Sequence, residues 1–234
     1  MLKKEVLELL NASREQGWVL EPDAKRILSL YDIPVPRFVW ARDLGAAVDF
    51  AGDAGYPVVA KVISPRILHK SDTGGVIPGI AGEAQLSAAF EKFSRMDGFA
   101  GMLVEETAPG IELMAGAKID FQFGPVILLG MGGTGVEIYR DTALRMAPLA
   151  ERDVPSMVGE LKARRLIQGY RGADPVDMKQ LTRVLMGFSD LVMDLREHIE
   201  SIDLNPLMCS ARACVAADAR ILLKEKEAGS AGPA

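Results

Sequence analysis

Apolar positions along the chain first recur at helical spacing and then, past its middle, in the rhythm of strands. Residues 3–15 and 21–30 place Leu, Val and Ile three and four apart, which predicts two amphipathic helices. The breaker Asp32-Ile33-Pro34-Val35-Pro36 separates them from a strand-like Arg37-Phe38-Val39-Trp40 and an Ala-rich helix over 44–54. Tyr56-Pro57-Val58-Val59-Ala60-Lys61-Val62-Ile63 reads as a buried strand that carries a single cation, and 83–95 is again helical. From 101 to about 146 the rhythm turns two-residue or continuously apolar, broken by Gly and Pro, as in an antiparallel sheet with tight turns. Helices over 154–161 and 176–195 follow, then strands over 199–204 and 213–217. Helices and strands alternate in the first half while strands cluster in the middle. This predicts an α+β protein of two lobes rather than a doubly wound sheet.

The 234 residues include 27 Lys and Arg against 32 Asp and Glu, a formal charge of −5. Such a balance is no footprint for broad nucleic-acid binding. Composition is that of an ordinary globular chain, no apolar run approaches the roughly 20 residues of a membrane span, and Glu5 and Glu8 interrupt the apolar face of the first helix. A cytoplasmic protein, neither membrane-bound nor disordered, is the expectation. With two cysteines and two histidines, neither a disulfide framework nor a Cys/His zinc site is supported, and Cys209 and Cys214 read as buried thiols.

Gly130-Met131-Gly132-Gly133-Thr134-Gly135 matches the dinucleotide pattern G-x-G-x-x-G. That pattern needs a helix N-terminus directly after the glycines, whereas Val136-Glu137-Ile138-Tyr139 is β-branched and alternating, so a hairpin turn is expected. Lys61 and the loop His69-Lys70-Ser71-Asp72-Thr73-Gly74-Gly75 could hold an anion, the lysine as a point charge and the loop through its backbone N–H groups. Taken alone, Lys61 fits a strand-end residue whose ammonium reaches solvent better than a phosphate ligand, and His69 fits a surface-loop histidine better than a reacting one. Asn205 and Asp218 are hard oxygen donors at one strand's end and near the next, positions that could converge on Mg²⁺ or simply brace the turn before Pro206.

Together these segments resemble the ATP-grasp subunit of the ADP-forming acetyl-CoA (acyl-CoA) synthetases, relatives of succinyl-CoA synthetase. The likeness runs in order over residues 15–223, through 58–76, Phe123-Gly124-Pro125, Gly132 to Glu137, Asp141 with Arg145 and Pro148-Leu149, Gly169-Tyr170-Arg171-Gly172, and Asp203-Leu204-Asn205-Pro206-Leu207. It implies an ATP-grasp fold whose two α+β lobes clamp a nucleotide: an N-terminal helix over 1–20, a small lobe over 21–98, a second lobe over 99–227 and a disordered tail over 228–234. It also implies ATP/ADP and Mg²⁺ as cofactors. Lys61 would bind nucleotide phosphates; Glu105, Glu106 and Thr107 would meet adenine, Glu112 the ribose, and Asn205 and Asp218 the Mg²⁺. His69 falls on the phosphohistidine that relays phosphate between a histidine of the partner subunit and the nucleotide. Glu137, Asp141 and Arg145 would line the cleft.

The resemblance further implies a partner, an alpha subunit carrying the CoA-binding and ligase domains, in an α2β2 heterotetramer without nucleic acid or membrane. The net reaction would convert acyl-CoA, ADP and phosphate to carboxylic acid, CoA and ATP. Ser201 departs from the family, which usually has an acidic residue there. Two rival readings stand beside this one. A stand-alone ATP-grasp carboxylate ligase working through an acyl phosphate would need no His69, and a non-catalytic nucleotide-binding module would never become phosphorylated.

Overall fold

The computed structural model describes residues 3–133 and 141–225. Two antiparallel sheets organise them. One has four strands and the other seven, and each gathers its own hydrophobic core.

The small lobe is one continuous stretch. Strand β2 (Phe38–Ala41) leads to helix α3 (Leu44–Ala54), whose N-terminus is closed by Asp43 accepting the Ala46 amide at 2.9 Å. Strands β3 (Val58–Ile63) and β4 (Val76–Ile80), helix α4 (Glu83–Ser94) and strand β5 (Gly101–Glu106) follow, in the spatial order β2-β5-β3-β4. Ala47 and Ala51 of α3 and Leu86, Ala89 and Phe93 of α4 pack on Val58, Ala60, Val62, Met102 and Val104. The alternating face of a strand thus meets the i, i+3, i+4 stripe of a helix.

The large lobe takes chain from both sides of this excursion. Before it come α1 (Lys4–Ala12), β1 (Trp18–Val19) and α2 (Glu21–Leu30). After it come β6 (Ile111–Asp120), β7 (Gly124–Met131), β8 (Thr142–Met146), α5 (Asp153–Glu160), α6 (Arg164–Ile167), α7 (Met178–Leu195), β9 (Ile199–Cys209), β10 (Cys214–Ala216) and β11 (Arg220–Leu223). Strand order is β1-β11-β9-β6-β7-β8, with β10 pairing β9 beyond β11. Helix α7 lays Leu181, Val184, Leu185, Phe188, Leu191, Val192 and Leu195 into the core; each such side chain contributes about 1.5–3 kcal/mol on burial.

The chain crosses between lobes at 34–37 and again at 107–110. The crossings run side by side, since the Glu106 amide donates to the Arg37 carbonyl at 3.0 Å. Gly110 sits at φ +138°, and a Cβ there would stand 2.3 Å from the Cys209 carbonyl oxygen, so the return crossing passes where only glycine fits.

Expected and observed elements agree for α2, α3, α4 and the strands of 101–146 that the structure describes. The lobe limits differ: residues 21–33, expected in the small lobe, pack in the large-lobe core, and 101–106, expected in the second lobe, pair with β2 and β3. Strand β9 runs on to Cys209, and β1, β4, β11 and α6 were not anticipated. Cys209 and Cys214 are cross-strand partners, buried as free thiols. Strands β7 and β8, on either side of the glycine run, are antiparallel partners. The expected strand over 136–139, Glu137 within it, and the tail over 228–234 lie outside the described residues. Among the described residues no helix is long and apolar enough to cross a membrane.

Candidate functional site

A cavity of about 450 Å³ lies between the lobes. The small lobe supplies the end of β3 and the loop after it, including His69 and Lys70; the large lobe supplies Trp18 to Glu21, Met114, Gly133 and, from β9 to β11, Asp203, Asn205, Asp218 and Arg220.

Buried charges form the cavity's inner wall. Glu21, at the start of α2 and 4 % exposed, accepts from Lys61 Nζ at 2.7 Å on Oε1 and from Lys70 Nζ on Oε2, and its Oε1 is ion-paired with Lys25 Nζ at 3.0 Å. Lys61 also lies 2.9 Å from Glu105 Oε1 and donates to the Ala217 carbonyl at 2.7 Å. Lys25 completes the ring by donating to Glu105, and Lys70 Nζ stands 3.4 Å from Asp218 Oδ1. Burial pushes the Glu21 carboxyl up, yet Lys61, Lys70 and Lys25 outweigh it and hold that carboxyl well below the usual range. For Lys61, burial works against the charged form, and Glu21, Asp218 and Glu105 reverse it, so the ammonium titrates above an ordinary lysine. Lys70 moves upward for the same reason, drawn by Glu21 and Asp218. The network joins the lobes: Glu21, Lys25 and Asp218 belong to the large one, Lys61, Lys70 and Glu105 to the small one.

His69 is exposed on the cavity rim, with Arg220 Nη1 3.3 Å from its Nδ1. The same guanidinium lies 3.3 Å from Asp203 Oδ2, and Arg220 and Asp203 are direct cross-strand partners of β11 and β9. Burial raises the Asp203 carboxyl, Arg220 opposes this and the Asp218 charge adds to it. Two carboxylates and the Asn205 amide therefore face one space, with hard oxygens and like charge that a divalent cation would offset. Mg²⁺, which keeps part of its shell for phosphate and water, fits Asn205 and Asp218 on this chemistry.

His69, Asn205 and Asp218 thus share the cavity lining, while Lys61 and Glu105 stand in the ionic wall behind it. Lys61 is no free cation, and the Glu105 carboxylate is turned to Lys25 and Lys61. Glu106 pairs with Arg37 at 3.2 Å and Thr107 Oγ1 donates to the Pro57 carbonyl at 3.0 Å, both at the lobe junction. Glu112, on β6, approaches Gly133: a Cβ there would lie 2.9 Å from its Oε2. Asp141 and Arg145 do not line the cavity as expected. Asp141 accepts the Lys162 and Ala163 amides at 2.6 and 2.8 Å, bracing the chain that enters α6, and Arg145 is held on α5 by Glu160 and by Ser156 Oγ at 2.9 Å. Glu21, Lys25 and Arg220 carry no local signal in the sequence, and Asp203 stands within the Asp203-Leu204-Asn205-Pro206-Leu207 segment with no cavity role assigned to it there. Lys61, the single cation of a buried strand, is the local signal of this wall, and Glu105 and Lys70 belong to segments the sequence singles out for other reasons.

The ATP-grasp domain family matches residues 11–223. The beta subunit of acetate–CoA ligase (ADP-forming) I from Pyrococcus furiosus is 38% identical over 228 residues, covering 94% of this chain and 97% of that one. The 4-hydroxybutyrate–CoA ligase (ADP-forming) of Nitrosopumilus maritimus is 36% identical over 213 residues, but those span 87% of this chain and 30% of that longer protein. Among solved structures, an acetyl-coenzyme A synthetase 1 of Ca. Korarchaeum cryptofilum, in complex with coenzyme A and Mg-AMPPCP and with its phosphohistidine segment pointing towards the nucleotide site, superposes with a TM-score of 0.82 at 36% identity. It covers 94% of this chain and 100% of that one.

Proposed function

The chain belongs to the ATP-grasp domain family, and on that premise we propose that it is the nucleotide-binding subunit of an ADP-forming acyl-CoA synthetase. The observation that carries this reading is the rim position of His69, which shares one cavity with the oxygen donors Asn205 and Asp218. Near-complete coverage of a beta subunit in one relative, and of about a third of a longer ligase in another, supports a division of labour with CoA-binding and ligase domains on a partner alpha subunit. An α2β2 assembly in the cytoplasm follows from the same reading.

In the ATP-forming direction the partner's histidine passes its phosphoryl group to the His69 imidazole. The ring then turns into the cavity toward ADP. Transfer breaks the bond between ring nitrogen and phosphorus, whose electron pair stays on the imidazole, while an oxygen of the terminal ADP phosphate forms the new bond. Because the other ring nitrogen keeps its proton, a neutral ring departs. Lys61 and Lys70 remain charged and exchange carboxylate for phosphate as acceptors, so that charge neutralisation and alignment carry most of the catalysis. Mg²⁺, held by Asn205 and Asp218, would neutralise and orient the phosphate oxygens when bound. Glu105, Glu106 and Thr107 on the linking segment, and Glu112 on β6, are assigned to adenine and ribose.

His69→Ala tests the relay. Affinity for Mg·ADP should stay within about 3-fold, while ATP formation from acyl-CoA with the partner present falls by roughly three orders of magnitude or more. Undiminished ATP formation would overturn the assignment.

A further inference from the structure

Arg220 has no part in the relay as described so far, yet its placement is specific. Its guanidinium reaches both ways, to the carboxylate of Asp203 behind it and to the imidazole of His69 in front, each at 3.3 Å. An arginine is always a donor, so His69 Nδ1 accepts from it through a ring lone pair. Asp203 takes only part of the fork and fixes its plane, because the two residues stand opposite each other across β9 and β11. Arg220 and His69 both belong to the cavity lining.

We propose that Arg220 is a catalytic residue that receives the phosphoryl group carried by His69 and holds it in the cavity for transfer; the inference rests on the relay reading above. A phosphoryl group on the imidazole would bring its oxygens to the cation that now rests against the bare ring. The planar fork suits two of those oxygens at once. The exposed ring can rotate to present either nitrogen while Arg220 stays anchored on Asp203. No new bond is made by Arg220. It neutralises charge on the oxygens while the nitrogen–phosphorus bond breaks and the phosphorus–oxygen bond to ADP forms, and the second ring nitrogen keeps its proton. The ammonium of Lys70 rests on Glu21 and Asp218 and not on the imidazole, so Arg220 is the cation in contact with the ring among the described residues.

Two readouts test this. The full chain is incubated with Mg²⁺ and ATP labelled in the γ-phosphate, and acid-labile phosphate on His69 is measured; ATP formation is then followed with the partner subunit present. Arg220→Ala should lower the phosphorylated fraction at least about 10-fold and kcat about 100-fold, with KM for ADP within about 3-fold. Arg220→Lys, which keeps the charge but loses the fork, should recover part of the kcat deficit. A purely structural ladder pair would lower thermal stability in Arg220→Ala and leave labelling and kcat unchanged in the folded fraction, and that result overturns the proposal while the relay stands. If Arg220→Ala does not fold, Arg220→Gln is read instead, since it retains a donor for Asp203 without the cation. Unlabelled wild-type protein without turnover would remove the relay reading and this proposal together.

Discussion

Glu21 shows how one carboxylate can organise the charged wall of a site. Three ammonium groups lean on it, those of Lys25 and Lys61 buried and that of Lys70 mostly so. Removing one member of a buried ionic cluster leaves the others uncompensated, at a cost of about 3–5 kcal/mol. Glu21→Gln should therefore lower unfolding stability by about that amount, seen as an earlier urea midpoint. Because the folded-state value of Glu21 lies below its unfolded value near 4.5, its stabilisation is full above that pH and disappears as the pH falls through the lower folded value. Lys61 is the mirror case, its contribution being complete below 10.5 and lost only as the pH climbs through its higher folded value. Thermal melts from pH 3 to 7 should show the acid-side decline in the wild type and its attenuation in Glu21→Gln. At this scale the family resemblance, and not any short motif alone, pointed to His69, Asn205 and Asp218 as candidates. Glu21 and Lys25 were not legible, because Glu-Pro-Asp-Ala-Lys-Arg has the composition of a solvated helix face and burial of its charges depends on partners far along the chain.

Elements with a strong local period matched expectation, as α2, α3 and α4 do. Those whose existence depends on a distant neighbour did not. Strand β4, Val76-Ile77-Pro78-Gly79-Ile80, contains the two residues that usually break strands, and it tolerates them because it lies at the edge of its sheet. Strand β11 is short and pairs with β1 and β9, which no local pattern announces. Gly110 joins two elements through a backbone conformation closed to other residues. Gly110→Ala must relieve both the positive φ, worth about 1–3 kcal/mol, and the collision with the Cys209 carbonyl. With about 2–4 °C of melting temperature per kcal/mol for a domain of this size, a loss of at least about 3 °C is expected by calorimetry.

For the whole molecule, the α+β class with two lobes was readable from the order of elements, but the dividing lines were not. Gly101 to Glu106 opens the run of strands that continues in the large sheet, so local rhythm alone joins it to the wrong lobe; its hydrogen bonds to β2 and β3 decide otherwise. The ionic wall already ties the lobes together without nucleotide. Ligand binding should thus add stability by mass action more than by ordering loose halves. Mg·ADP at 100 times its dissociation constant should contribute about 2.7 kcal/mol, a rise of about 5–10 °C in melting temperature that EDTA diminishes.

The paired crossings at 34–37 and 107–110 carry a mechanical corollary. Since the strands that leave and re-enter the large lobe are bonded to each other, neither can lengthen or bend independently, and the small lobe is hung on a two-ply joint. A motion that keeps that joint intact is a swing about it, not a slide across the cavity, and it would have to part the ionic wall. A swing moves the far loop bearing His69 through the widest arc while the junction at Glu106 and Thr107 hardly stirs. Opening would carry the imidazole off the guanidinium while leaving the adenine end of the cleft almost in register.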